Sequence, residues 1–284
     1  MMKIGITGQN SFIGRSFRAM YKDFDYKVFS GKIENQKEVL EFCEEIQDFD
    51  LLLHFAGKVS RDSVNKSLNT ALIVNNLGTL NVLEGLKRLG PRAPALFFPS
   101  SSHVYEPSSK PCSEQSSLLP STFYGITKLQ CEQLCTFFSE GYNLKIIIGR
   151  IFNVYGSQQN PDFFVPSIVR KIIDSPLNSE IEIGFGGSFR DFIHVDQVCA
   201  AIHHLAACEF KGIVNIGTGI GINLLSIAMK IGTLTNRKDI VVHSDNVIQS
   251  LVADNSKLNS LGLIIGDHFD ENLLAIIQNI RISE

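Results

Sequence analysis

The stretch Lys3-Ile4-Gly5-Ile6-Thr7-Gly8-Gln9-Asn10-Ser11-Phe12-Ile13-Gly14 constrains the fold more than any other part of the chain. It reads as a short buried strand, a glycine turn and the start of a helix that carries Phe17, Ala19 and Met20. Such a turn aims backbone N–H groups at a ligand beside a helix N-terminus, where the peptide dipoles favour an anion such as a pyrophosphate. Gly8 allows the tight turn, and Gly14 lets the helix pack close to the strand. Ser11 stands where the plain glycine fingerprint has its middle glycine. The same stretch also fits a strand–turn–helix that holds no ligand, so the rest of the chain has to decide.

Further strands are expected at Tyr26–Ser30, Leu51–Ala56, Ala95–Phe98, Lys145–Ile148 and Ile213–Gly217. Helices fall between them: one around Glu38–Ile46, one through Ile73, Leu77, Leu80, Leu83 and Leu86 that stops at Gly90-Pro91, and one from Tyr124 to Phe138. Continuously apolar strands that alternate with amphipathic helices predict a parallel sheet covered on both faces, an α/β fold. After Tyr155-Gly156 the chain changes to short helices and proline-bearing loops, read as a smaller lobe over the carboxyl ends of the strands. The expected division is residues 1–155 as the dinucleotide-binding unit, with 192–217 returning to it, and 156–284 mainly as the substrate lobe. A tail helix carries Phe269, Leu273, Ile277 and Ile280 on one face.

Composition removes several alternatives. A net charge of −3 offers no basic excess for general nucleic-acid binding. Six cysteines without CxxC spacing predict neither a zinc site nor a redox motif and suit a reducing cytoplasm. Met1-Met2-Lys3 runs straight into the first strand, leaving no room for a signal peptide. No apolar run approaches the roughly 18–20 residues that span a bilayer.

Tyr124-Gly125-Ile126-Thr127-Lys128 places a phenol and an ammonium on one helix face. A free phenol titrates near 10. A neighbouring cation favours its ionised form, and a serine can orient the substrate oxygen, so the set suits proton exchange with a carbonyl/alcohol pair. An ordinary surface tyrosine and lysine would share this spacing.

Seven ordered blocks then resemble the extended short-chain dehydrogenase/reductases of the NAD-dependent epimerase/dehydratase family, over nearly the whole chain. They are Thr7–Gly14, Leu53–Gly57, Asn75–Glu84, Ser100–Tyr105, Arg150–Gly156, Arg190–Asp196 and Asn215–Gly219. The resemblance implies a Rossmann-type doubly wound sheet with a smaller C-terminal substrate-binding lobe, and an NAD(P)-dependent enzyme acting on nucleotide-diphosphate sugars. It implies Ser101, Tyr124 and Lys128 as the catalytic set. It implies a cofactor site of Gly8, Asn10, Ser11, Phe12, Ile13, Gly14, Ser30, Ala56, Gly57, Asn75, Tyr124 and Lys128. It implies substrate contacts from Ser101, His103, Asn153 and Arg190, with Arg190 on the diphosphate, and a homodimer. His54 and His194 match positions that are mostly structural in the family.

Departures from the family pattern narrow the expectation. Ser102-His103 follows Ser101 where the dehydratase branch carries an acidic pair, which speaks against water elimination. His103, with a free pKa near neutrality, suits proton exchange at a sugar carbon or a plain structural role. The segment before Leu51 is short, as in the 4-keto-sugar reductase branch. Phe29-Ser30-Gly31-Lys32 ends the second strand without the acid that binds a ribose 2′-hydroxyl, while Arg15 and Lys32 suit a 2′-phosphate. The expectation is therefore a 4-keto-6-deoxy nucleotide-sugar reductase favouring NADP(H), with NAD(H) as the other cofactor. An epimerase with bound NAD and a non-catalytic dinucleotide-binding regulator are the alternatives.

Overall fold

The computed structural model describes residues 1–59, 64–184, 186–237, 239, 241–244 and 249–282. Its centre is a six-stranded parallel sheet of β1 (Lys3–Thr7), β2 (Asp25–Val28), β3 (Leu51–His54), β4 (Ala95–Ser101), β5 (Ile146–Ile151) and β9 (Gly212–Ile216). Their order is β2-β1-β3-β4-β5-β9. All residues of β3 and β5 are buried, as expected for strands covered on both faces. One face packs the Phe12–Met20 and Val195–Ala207 helices, with Phe17, Val198 and Ile202 in the core. The other packs Gln36–Glu45, Gly78–Leu89 and Phe123–Gly141 through Phe42, Leu83, Leu86 and Phe138.

Strand order reverses between β1 and β3. A crevice therefore opens at their carboxyl ends, where open α/β sheets bind ligands. The lobe closes over that end. It has its own core of Tyr155, Val169, Phe192, Ile231 and Leu273, around the Phe164–Asp174, Leu224–Leu234 and Phe269–Ile282 helices. Two small sheets belong to it: β10 (Gly221–Asn223), β8 (Phe189–His194) and β6 (Asn153–Tyr155), and separately β11 (Val241–Ser244) with β7 (Glu180–Ile183). Thus β8 lies outside the main sheet, but its Ile193 already packs into the main core, followed by Val195.

The continuous helix expected through Ile73–Leu86 is interrupted. An α-helix spans Leu68–Leu72, a π-helical turn spans Ile73–Leu77, and the α-helix resumes at Gly78. The wide turn diverts the Asn75 carbonyl, which accepts from Thr79 Oγ1 at 2.6 Å and from Cys131 Sγ at 3.4 Å. Periodicity alone does not register such a bulge, because one inserted residue shifts the apolar stripe only locally.

Candidate active site

The glycine turn is held by backbone geometry. Gly8 has φ of +67°, and a Cβ there would lie 2.4 Å from the Ala56 nitrogen, so only glycine fits between β1 and the end of β3. Ser11 caps the Phe12–Met20 helix by accepting from the Gly14 N–H at 3.1 Å. The serine in place of the middle glycine is therefore an N-cap. This cradle fits a dinucleotide pyrophosphate, since it presents a helix N-terminus with no side chain from Gly8 in the way.

A cavity of about 560 Å³ lies beneath the lobe. It brings together Ser11, Phe12, Ile13, Ser101, His103, Tyr124, Lys128 and Asn153 from four separate segments of the chain. Its lining does not include Gly8, Asn10, Ser30, Ala56, Gly57, Asn75 or Arg190. Gly57 and Asn75 sit together behind it. The Asn75 amide accepts from the Lys58 N–H at 2.7 Å and donates to the Lys58 carbonyl and to Thr127 Oγ1, both at 3.1 Å. Asn75 thereby ties the chain leaving β3 to the Phe123–Gly141 helix. Ala56 donates its N–H to Thr7 Oγ1 at 3.3 Å, and Ser30 is exposed beyond the end of β2.

The Phe123–Gly141 helix starts at Thr122, whose Oγ1 accepts from the Gly125 N–H at 3.1 Å. A Cβ on Gly125 would stand 2.3 Å from the His103 carbonyl. The glycine lets the first helical turn press against the Ser102–Val104 turn at the end of β4. Tyr124 consequently shares the cavity wall with Ser101 and meets His103 edge-on, with ring centroids 6.1 Å apart. Lys128 is buried, donates to the Pro99 carbonyl at 2.7 Å, and has its ammonium 4.7 Å from the Phe98 ring centroid and 5.8 Å from that of Tyr124.

Burial sets the electrostatics here. It pushes the Tyr124 phenol well above its ordinary value, with the Ser101 side chain pulling the other way. It pushes Lys128 down, opposed by the nearby Cys131, Cys135 and Glu132. His103 is pushed down to about 4, first by burial and then by the charge of Arg190. At neutral pH the imidazole is uncharged, and the phenol keeps its proton and can donate it.

Arg190 on β8 is half-buried. Its guanidinium donates to the Phe189 carbonyl at 3.2 Å, and burial lowers it to about 10. Among the described residues it faces no carboxylate. The adjacent Asp191 is instead buried and saturated, accepting from Thr218, Gly219 and Ala253 at 2.7–3.1 Å. Asn153 donates to the Asp191 carbonyl at 3.0 Å. Both structurally matched histidines hold the fold. His54 bridges Thr7 and Thr79, and His194 caps the Val195–Ala207 helix.

Sequence reasoning missed three features. Glu132 and Arg150 form a fully buried ion pair at 2.7 Å. Gln159 reaches the cavity from the lobe, its buried Oε1 lacking a partner among the described residues. Glu38 sets its carboxylate at the end of β2, accepting from the Lys32 N–H at 2.8 Å and from Asn35 Nδ2 at 2.5 Å. The spacing of Glu132 four residues after Lys128 was the one available signal for the first; the other two depend on tertiary packing.

The fold and this site define a class. The chain belongs to the NAD dependent epimerase/dehydratase family, whose description matches residues 4–217. It is 26% identical over 291 residues to a GDP-6-deoxy-D-talose 4-dehydrogenase of Aggregatibacter actinomycetemcomitans, covering 98% of this chain and 96% of that protein. It is 27% identical over 233 residues to the dTDP-4-dehydro-6-deoxyglucose reductase of Escherichia coli, covering 79% and 72%. In fold it is similar to the RMD protein of Pseudomonas aeruginosa complexed with NADPH, with a TM-score of 0.88, 20% identity and complete coverage of both chains. It is also similar in fold to the Thermus thermophilus UDP-glucose 4-epimerase complexed with NAD, with a TM-score of 0.85, 22% identity and complete coverage of both chains.

Proposed function

We propose that the chain reduces a nucleotide-linked 4-keto-6-deoxy sugar. The observation that carries this reading is the half-buried Tyr124 phenol on the cavity wall with Ser101 and Lys128, kept protonated by its desolvation. The Gly8–Gly14 turn and Lys128 would hold a nicotinamide dinucleotide, which would supply hydride-transfer chemistry at a carbonyl carbon. Tyr124 donates its proton to the carbonyl oxygen, Ser101 orients that oxygen, and Lys128 binds the cofactor ribose beside the phenol. Asn153 and Arg190 hold the sugar and its diphosphate, and the lobe of residues 156–284 supplies the substrate site. Ser102-His103 after Ser101 leaves no carboxylate pair there for elimination. The two relatives named above by sequence act, by their names, at the 4-position of 6-deoxy sugars.

The cofactor expected from Arg15 and Lys32 is NADP(H). One observation favours NAD(H) instead: the Glu38 carboxylate lies against Gly31, where a 2′-phosphate would meet a like charge. Arg15 is already engaged, donating to the carbonyls of Asn10 at 2.6 Å and Gln158 at 3.3 Å. A homodimer is supported by exposed Leu72, Ile73 and Leu77 beside exposed Ile126, on neighbouring helices linked by the Asn76–Gln130 hydrogen bond at 2.9 Å. Among the described residues no helix is long and apolar enough to cross a membrane. The six free thiols support a cytoplasmic setting.

The test is a panel of enzymatically made 4-keto-6-deoxy nucleotide sugars offered with NADPH and, separately, NADH, with the products identified. Turnover of one or more supports the reading. Interconversion of nucleotide hexoses without added cofactor would instead establish the epimerase.

A further inference from the structure

Positions 124, 128 and 132 lie four apart on one face of the Phe123–Gly141 helix, and each grips a different residue at the end of β4. Tyr124 meets Ser101, Lys128 the Pro99 carbonyl, and the Glu132 carboxylate the Ser100 hydroxyl. The third contact reaches the cavity only through Ser100, which lines it, since neither Glu132 nor Arg150 does.

Glu132 is itself locked. Arg150, on the neighbouring β5, donates Nε to its Oε1 at 3.0 Å and Nη2 to its Oε2 at 2.7 Å. The remaining guanidinium nitrogen donates to Tyr105 Oη and to the Glu114 carbonyl, both at 3.0 Å, and the guanidinium carbon lies 4.8 Å from the Tyr105 ring centroid. Tyr105 donates to Asn215 Oδ1 at 2.6 Å, and Asn215 donates to the Cys112 carbonyl at 2.7 Å. One buried chain of hydrogen bonds thus joins the helix, β4, β5, the loop after β4 and the end of β9.

Stability does not explain this arrangement. A buried ion pair is often replaceable by apolar residues of similar volume at no loss, because taking two charges out of water costs about what their attraction returns. What apolar residues cannot reproduce is a directed bond to Ser100, the residue between the Lys128 anchor and Ser101. We propose that Glu132 and Arg150 are positioning residues, which hold the end of β4 in register with the helix so that Lys128 and the Ser101–Tyr124 pair share one geometry. The inference rests on the catalytic roles assigned above to Ser101, Tyr124 and Lys128. It extends them to Glu132 and Arg150, which do not line the cavity, and to Ser100, the cavity residue whose hydroxyl they hold.

The experiment compares Ser100→Ala, Ser100→Thr and the double variant Glu132→Leu/Arg150→Met in the full chain. Each is measured by thermal unfolding, fluorescence titration of NADPH and NADH, and turnover of the best substrate from the panel. Ser100→Ala removes the clamp and leaves the ion pair intact. It should lower kcat about tenfold, the scale of a small misplacement of reacting groups, and weaken dinucleotide binding several-fold through Lys128, with substrate KM little changed. Ser100→Thr retains the hydroxyl and should restore both. The double variant should keep its unfolding temperature yet lose turnover and dinucleotide affinity, a split that a purely structural role would not produce. Wild-type kcat and wild-type dinucleotide affinity in Ser100→Ala would overturn the proposal, whatever the double variant does. If the wild type turns over no member of the panel, the substrate reading fails by itself, and the dinucleotide titrations still decide the positioning role.

Discussion

Around Tyr124 and Lys128, polar side chains end on one another: Ser100 on Glu132, Glu132 on Arg150, Arg150 on Tyr105. Around Arg190 the bonding is sparse. The guanidinium meets the carbonyl of its own neighbour, and on the lobe side of the cavity Gln159 Oε1 is buried without a partner among the described residues. Both regions are desolvated, so the contrast is not one of exposure. A proton-transfer group needs a geometry set before substrate arrives, because alignment in the transition state is where its contribution lies. A ligand-holding group needs bonding capacity left over, since an unmet buried donor or acceptor gains most from the partner that satisfies it. The pre-bonded wall therefore reads as the chemistry end, and the under-bonded rim as the recognition end.

The sharpest way to break this contrast is Tyr124→Phe, which keeps the ring and removes the proton. Turnover should fall by about 10²-fold or more with dinucleotide affinity retained, as measured by steady-state kinetics and fluorescence titration. Near-normal turnover would remove the chemistry from this wall. The recognition end is tested by Arg190→Lys, which exchanges a planar fork for a point charge. Calorimetry should show nucleoside diphosphate binding weakened by about 1–3 kcal/mol and dinucleotide binding unchanged. Loss of the dinucleotide with retention of the nucleoside diphosphate would exchange the two assignments.

A stability measurement sharpens the closed side. His54 is 1% exposed between two threonines, and burial lowers it to about 3 from an unfolded value near 6.5. Between those values the unfolded chain binds the extra proton. The contribution of neutral His54 is therefore present above pH 6.5 and is lost as pH falls toward 3, by up to about 1.4 kcal/mol per pH unit. Urea unfolding from pH 7 to pH 4.5 should show this decline, and His54→Gln should flatten it. An unchanged slope would mean that other groups dominate the acid sensitivity. The smallest expected effect lies at the end of β2. Glu38→Gln removes one half-buried carboxylate, so NADPH affinity should improve relative to NADH by about threefold in low salt and less in high salt. No change in that ratio would place Glu38 away from the ribose.

Much of the site was legible because its signals are local. The Gly8–Gly14 turn, the Ser100–Tyr105 block and the Tyr124/Lys128 pair each lie within one element or one turn, and the structure gathers members of all three around one cavity. Arg190 was chosen from its motif, and the structure sets it off the cavity lining, near enough to His103 for its charge to bear on the imidazole. By spacing, Ser11 is a departure from the glycine fingerprint; in the structure it is the helix cap, a role that depends on backbone direction rather than on residue spacing.

Taken alone, the sequence determines the alternation of buried strands and amphipathic helices, hence a parallel sheet with its site at the strand ends. It also determines the residue types that line up along a single helix. Tertiary structure alone decided which distant groups meet. Arg150 found Glu132 eighteen residues back, Asn75 found Thr127 across 52 residues, and Tyr105 found Asn215 across 110. The reason is physical: periodicity records which face of an element is buried, whereas the partner of a buried polar group is settled only when two such faces pack and each donor must find an acceptor away from water.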